Sequence, residues 1–288
     1  MKTLRECVQE AEQKGVALGH FNISNLEALH AIYNAAKKLN VPIVIGLSEG
    51  EEVAVGREEA VALVRALRER DNYPIFLNAD HHNSFESVKA CIDAGFDCVI
   101  IDAAKLNFEE NVKITKQCVE YARKVTTESS RDIIVEGELG YIGSGSIVRD
   151  SIPEGAGVKT NPEEAKKFVE LTGVDMLAPS VGNIHGIVKS GNPHIDTKLV
   201  AEIRKLTGVP LVLHGGSGLT DEDFINGIKN GISTVHINTE IRIAFVENLK
   251  KALAENPKEI VPYKVSKPAQ EAVEKIVEAR LKLFNGIN

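Results

Sequence analysis

Short apolar runs of strand length alternate with segments of helical period along the whole chain, as successive βα units around a parallel sheet require. Eight such runs are legible, at residues 16–21, 41–47, 74–79, 98–101, 133–138, 175–179, 210–213 and 234–237. Several are apolar throughout, as strands covered on both faces should be. Between them, residues 26–39, 57–70, 85–94, 109–124, 163–171, 197–206 and 221–230 repeat their apolar positions at helical spacing. Eight strands with intervening helices read as an α/β fold, a (β/α)8 TIM barrel, which commonly fills ~250 residues as one domain. The remainder is a C-terminal helical extension in which residues 269–283 are amphipathic, so a single domain over residues 1–288 is expected. An open doubly wound sheet is the alternative, but no GxGxxG follows the first strand.

Two segments break the regular spacing. Residues 140–160 hold five glycines and no helical or strand period, and they follow the fifth strand, on the face where a barrel keeps its active site. This segment is expected to be a mobile lid. Residues 182–193, after the sixth strand, form a second long connection and carry a histidine next to glycine.

Composition narrows the class of function. The formal charge of −7, from 34 basic and 41 acidic residues, removes any general electrostatic drive toward nucleic acid or anionic membrane. An anionic ligand must then be held by a local site. No run approaches the ~20 apolar residues of a membrane span, and the first fifteen residues carry charges where a secretory leader needs an apolar stretch, so a cytoplasmic protein is expected. Cys7, Cys91, Cys98 and Cys118 show no CxxC spacing and read as free buried thiols.

Polar residues gather where a barrel would bring them together. Asp80, His81 and His82 end the third strand, Glu138 the fifth and His214 the seventh; His185 follows the sixth, and Asn238 and Thr239 end the eighth. Taken singly, each histidine reads as a hydrogen-bonded loop residue. Three of them at strand ends, two beside glycine, shift the weight toward a zinc site of His81, His185 and His214, with a coordination position left open for a substrate oxygen. His20, His30 and His194 keep the structural reading, and His82 reads as a neighbour of the site. The run His214-Gly215-Gly216-Ser217-Gly218 is alone as consistent with a tight turn as with a phosphate loop. Beside a metal ligand, and with Asn238-Thr239 opening a helix, the phosphate reading is favoured. Such a pair of sites suits a phosphorylated substrate whose carbonyl a metal polarises, with Asp80 exchanging a proton with its hydroxyl.

These residues lie in N-A-D-H-H (78–82), E-G-E-L-G (136–140), V-G-N-I-H-G (181–186), L-H-G-G-S-G (213–218) and H-I-N-T-E (236–240). In order and spacing they resemble the class II, zinc-dependent ketose-bisphosphate aldolases, over nearly the whole chain. The resemblance implies zinc on His81, His185 and His214, and Asp80 as the proton donor or acceptor at the C4 oxygen. It places Glu138 and Asp102 at a second or alternative metal position. Gly186, Gly215, Gly216, Ser217, Asn238 and Thr239 would hold the dihydroxyacetone phosphate half, with Lys189 and a monovalent cation assisting, while Asn22 and Ser48 match substrate-contacting loops. The implied reaction is reversible cleavage of a ketose 1,6-bisphosphate, foremost fructose 1,6-bisphosphate, into dihydroxyacetone phosphate and glyceraldehyde 3-phosphate, by a homodimer or homotetramer. Alternatives are an aldolase for tagatose 1,6-bisphosphate or another ketose 1-phosphate, and a non-catalytic sugar-phosphate-binding protein. The chain departs from the family pattern at Ser146, where a lid glutamate is expected as base, at His236, often asparagine, and at Lys264 and Lys267, where the tail commonly has arginine. Asp150 and Glu154 are the lid carboxylates that could replace the glutamate.

Overall fold

The computed structural model describes every residue except Ser144, Pro153 and Asn288. In chain order the strands are β1 (Leu18–Asn22), β2 (Ile43–Ser48), β3 (Ile75–His82), β4 (Cys98–Ile101), β5 (Ile134–Leu139), β6 (Val148–Arg149), β7 (Met176–Pro179), β8 (Ile187–Val188), β9 (Leu211–Leu213) and β10 (Ile232–Ile237). The helices are α1 (Leu4–Lys14), α2 (Leu26–Leu39), α3 (Glu49–Val55), α4 (Arg57–Asp71), α5 (Phe85–Ala94), α6 (Phe108–Ser129), α7 (Pro162–Thr172), α8 (Thr197–Thr207), α9 (Asp221–Lys229), α10 (Thr239–Glu255) and α11 (Pro262–Asn285). Eight parallel strands close into a barrel in the order β1-β10-β9-β7-β5-β4-β3-β2, and these are the eight runs legible in the sequence.

Alternation along the strands builds two cores. Outward residues such as Ile43, Ile45 and Leu47 of β2 pack against the surrounding helices and are fully buried. Inward residues at the lower end, Leu18, Val44, Phe76, Cys98, Ile134, Met176 and Val212, form a separate cluster inside the barrel. Helix α1 seals that end by setting Leu4, Cys7, Val8 and Ala11 against the cluster. The sequence reading did not assign this helix. Its apolar spacing is helical, and a capping box of Thr3 and Glu6 starts it, but only the open mouth of a barrel gives the narrow apolar stripe something to cover.

Following the same inward rows upward, the residues change from apolar to polar: His20 and Asn22 above Leu18, Asn78 and Asp80 above Phe76, Glu136 and Glu138 above Ile134. The chemistry-bearing end of the barrel is therefore a continuation of its core, and all six of these residues are buried.

Three sequence expectations need correction. Residues 140–160 contain a strand after all, because β6 pairs with β8 in register Val148↔Ile187 and Arg149↔Val188. The C-terminal helix begins at Pro262 rather than 269, with Pro268 inside it, and α10 precedes it. Helix α3 was not foreseen. All four cysteines are free and buried, as expected. Among the described residues no helix is long and apolar enough to cross a membrane.

Candidate metal centre

His81 ends β3, His185 lies in the connection between β7 and β8, and His214 follows β9. One ring nitrogen from each lies within 4.8 Å of the others. Two carboxylates decide which nitrogens carry protons. Asp102 Oδ2 is 3.0 Å from His81 Nδ1, and Glu136 Oε1 is 2.7 Å from His214 Nε2, so both rings donate outward. The remaining nitrogens, His81 Nε2 and His214 Nδ1, face each other at 2.9 Å. Two nitrogens so placed favour a cation between or beside them, a proton when no metal is bound and a metal ion otherwise. The donor set, three imidazoles oriented by carboxylates behind them, fits zinc. His81 adopts φ 51°, a left-handed backbone that a non-glycine residue holds only when its surroundings impose it.

Electrostatics around the three rings are uneven. Burial opposes a charge on His81, but Asp80, Asp102 and Glu138 outweigh it and raise its pKa to about 10. Burial, reinforced by His81 and His214, pushes His185 well below the ordinary histidine range. Glu138 is pushed well above the carboxylate range by burial and by Asp102; its Oε2 lies 3.6 Å from His81 Nδ1 and has no hydrogen bond. Glu138 and Asp102 form with His81 a second group of metal-capable atoms within 4.8 Å.

Asp80 stands beside the trio, 5% exposed. Asn22 Nδ2 donates to its Oδ2 at 2.8 Å. Its Oδ1 has no hydrogen bond and lies 3.7 Å from His81 Nε2 and 3.4 Å from His236 Nδ1. Burial alone would raise its pKa, but His81, His236 and His20 hold the carboxyl well below the ordinary range. This is an ionised acceptor with one oxygen fixed and one free, facing a cavity of about 30 Å³.

The same cavity is walled by Gly186, Gly215, Ser217, Asn238 and Thr239. Gly215 has φ 61°, and a Cβ there would lie 2.3 Å from Ile184 O; only glycine allows this approach. Thr239 opens α10, and Ser217 Oγ accepts the Glu240 N–H at 3.2 Å, so the cavity faces the positive end of a helix.

Three residues of the expected site do not line this cavity. Gly216 spends its N–H on His236 O at 3.1 Å and does not wall the cavity. Ser48, level with Asp80 in the strand register, lines a neighbouring cavity and donates to Glu51. Lys189 is exposed and pairs with Asp150 at 2.7 Å.

The lid is laid over the site. His185 N–H donates to Ile142 O at 2.8 Å, Ile187 N–H to Ile147 O at 3.0 Å and Lys189 N–H to Arg149 O at 2.9 Å. Ser146 reaches the cavity wall, whereas Asp150 and Glu154 are exposed.

Sequence reasoning gave His20 only a structural reading, left His236 as a departure without a role, and did not single out Glu136. His20 stacks on His236 with centroids 3.5 Å apart, and His236 stacks on His214 at 4.1 Å. Gly46 makes the room: a Cβ there would lie 2.2 Å from His20 Cε1. Burial lowers the His20 pKa to about 4 and keeps the stack neutral at that end. The signal was available, because His20, Glu136 and His236 each precede a strand-end polar residue by two positions and so share its face.

The sequence model of the class-II fructose-bisphosphate aldolase family matches residues 2–288. The chain is 39% identical to the fructose-bisphosphate aldolase of Geobacillus stearothermophilus, covering 98% of this chain and 96% of that one. It is 38% identical to that of Staphylococcus aureus strain N315, covering 99% and 98%. Among solved structures, the YdjI aldolase of Escherichia coli K12 superposes with a TM-score of 0.80 at 28% identity, over 98% of this chain and 96% of that one. With the family matched from end to end and the barrel's histidines gathered at its open mouth, this chain belongs to the class-II fructose-bisphosphate aldolase family.

Proposed function

We propose that the protein is a zinc-dependent aldolase that reversibly cleaves fructose 1,6-bisphosphate into dihydroxyacetone phosphate and glyceraldehyde 3-phosphate. The observation that carries this reading is the trio of His81, His185 and His214, two of its ring nitrogens facing each other at 2.9 Å, beside the free oxygen of Asp80. Those three rings would hold a zinc ion, which would supply Lewis acidity for the ketone oxygen. Asp80 Oδ1 takes the C4 hydroxyl proton as the C3–C4 electron pair passes to the dihydroxyacetone phosphate half. Asn22 keeps Asp80 aimed through its other oxygen. Gly186, Gly215, Ser217, Asn238 and Thr239 hold the phosphate at the start of α10, and Glu138 with Asp102 would hold a second divalent ion. The exposed Val246, Leu253, Ile260 and Tyr263 around α10 and α11 suit contact with another copy, in a cytoplasmic homodimer or homotetramer.

A coupled assay on fructose 1,6-bisphosphate, tagatose 1,6-bisphosphate and ketose monophosphates tests the reading. Turnover of fructose 1,6-bisphosphate that disappears on chelation and returns with zinc is expected. Full activity after exhaustive chelation would refute it.

The lid geometry bears on the base that exchanges the carbon-bound proton of dihydroxyacetone phosphate. Asp150 is engaged with Lys189 and Glu154 is exposed, so neither faces the cavity. Asp150→Asn and Glu154→Gln should therefore keep proton exchange into dihydroxyacetone phosphate at the wild-type rate, as followed by NMR in heavy water. Loss of exchange in either variant with zinc retained would identify that residue as the base and show that the lid rearranges.

A further inference from the structure

Asn22 and Asn238 stand between two cavities. One is the space of about 30 Å³ beside the histidines; the other, of about 440 Å³, runs outward to Phe245, Val246 and Val273. A six-carbon sugar cannot lie within the smaller space, so the part of a substrate beyond the reacting bond extends toward the larger one.

Glu51 marks the boundary and is 4% exposed. Its Oε2 accepts Asn22 Nδ2 at 2.8 Å, the Ser48 N–H at 2.9 Å and the Ser48 hydroxyl at 2.8 Å. Its Oε1 accepts Arg242 Nη2, and Asn238 Nδ2 lies 3.5 Å away. The two Ser48 contacts have a local explanation, since Ser48 and Glu51 form the capping box of α3. The others do not. Asn22 comes from β1, while Asn238 and Arg242 come from the start of α10. Donors from remote parts of the chain thus converge on one carboxylate, in the arrangement that the oxygens of a phosphate would otherwise take.

We propose, building on the aldolase reading above, that Glu51 is a specificity-determining residue. It is a built-in anion that competes with the distal phosphate of a bisphosphate for Asn22, Ser48 and Arg242, and so narrows the preference for fructose 1,6-bisphosphate and also admits ketose 1-phosphates whose far end is uncharged. A phosphate dianion brought to Arg242 must either displace the Glu51 carboxylate or lie against it, and like charges at close range are disfavoured. A hydroxyl-bearing end meets a neutral Glu51–Arg242 pair and the apolar wall beyond it without that repulsion. Discrimination here rests on a repulsive element as much as on an attractive one.

The test compares kcat/KM for fructose 1,6-bisphosphate and fructose 1-phosphate on the zinc-loaded enzyme. Glu51→Gln keeps an acceptor for the Ser48 cap but removes the charge, and it should raise the bisphosphate-to-monophosphate ratio by about tenfold or more, mainly through KM for the bisphosphate. Glu51→Ala should move the ratio in the same direction. A ratio unchanged in both variants overturns the proposal. If the wild-type protein cleaves neither sugar, the aldolase reading fails. The Glu51 assignment is then decided by calorimetric binding of the same two sugars: tightening by Glu51→Gln for the bisphosphate alone supports it, and an equal effect on both refutes it.

Discussion

Replacing His214 with alanine strips the protein of zinc and stops turnover. His214 Nδ1 and His81 Nε2 face each other at 2.9 Å, each ring being locked by a carboxylate on its far side. Removing one ring leaves two protein ligands where tetrahedral zinc with an open position needs three. Elemental analysis of purified His214→Ala should find zinc near background, and aldol cleavage should fall to the level of chelated wild type. Glu136→Gln is the informative contrast. It keeps the ligand but weakens what orients it, so zinc affinity should drop about 10–100-fold and activity should recover at excess metal. Full zinc occupancy in His214→Ala would refute the ligand set.

Asp80→Ala keeps its zinc and loses most carbon–carbon bond cleavage, by ~10²–10⁴ in rate, the usual contribution of a positioned acid–base group. The competing view is that Asp80 only orients His81. Geometry speaks against that view, because the nearest approach of Asp80 Oδ1 to His81 Nε2 is 3.7 Å, while Asp102 at 3.0 Å on Nδ1 already fixes the ring. Titrating zinc into the variant separates the two roles. Recovery of turnover at high zinc would make Asp80 an orienting group, whereas a persistent deficit at full occupancy assigns it the proton.

The uneven legibility of the site follows from how each residue reaches it. His81 and His214 stand out because strands buried on both faces read as apolar runs, and a polar residue at the end of such a run is costly unless something uses it; His185 stands out beside a glycine in a long connection after such a run. Glu136 and His20 are hidden inside their runs, where the alternation that turns them inward is legible only once the strand's inner face is known. Lys189 shows what a position in the chain leaves open: the β6–β8 pairing ends beside it, and its ammonium meets Asp150 at the surface.

Eight strands, their order along the chain and the three candidate ligands were determined by the amino-acid sequence alone, since apolar periodicity and strand-end polarity are local properties that survive without a fold. The tertiary structure decided what depends on distant segments meeting. It set α1 into the barrel's lower mouth, because a narrow apolar stripe becomes a plug only when a ring of inward side chains needs covering. It pinned the lid through a two-residue ladder between segments 39 residues apart, too short to leave a period in the sequence. It also brought Asn22, Asn238 and Arg242 onto Glu51, whose spacing from Ser48 announces only a helix cap. Hydrogen bonds across such separations are selected by the closed barrel, which holds β1, α3 and α10 side by side at one rim.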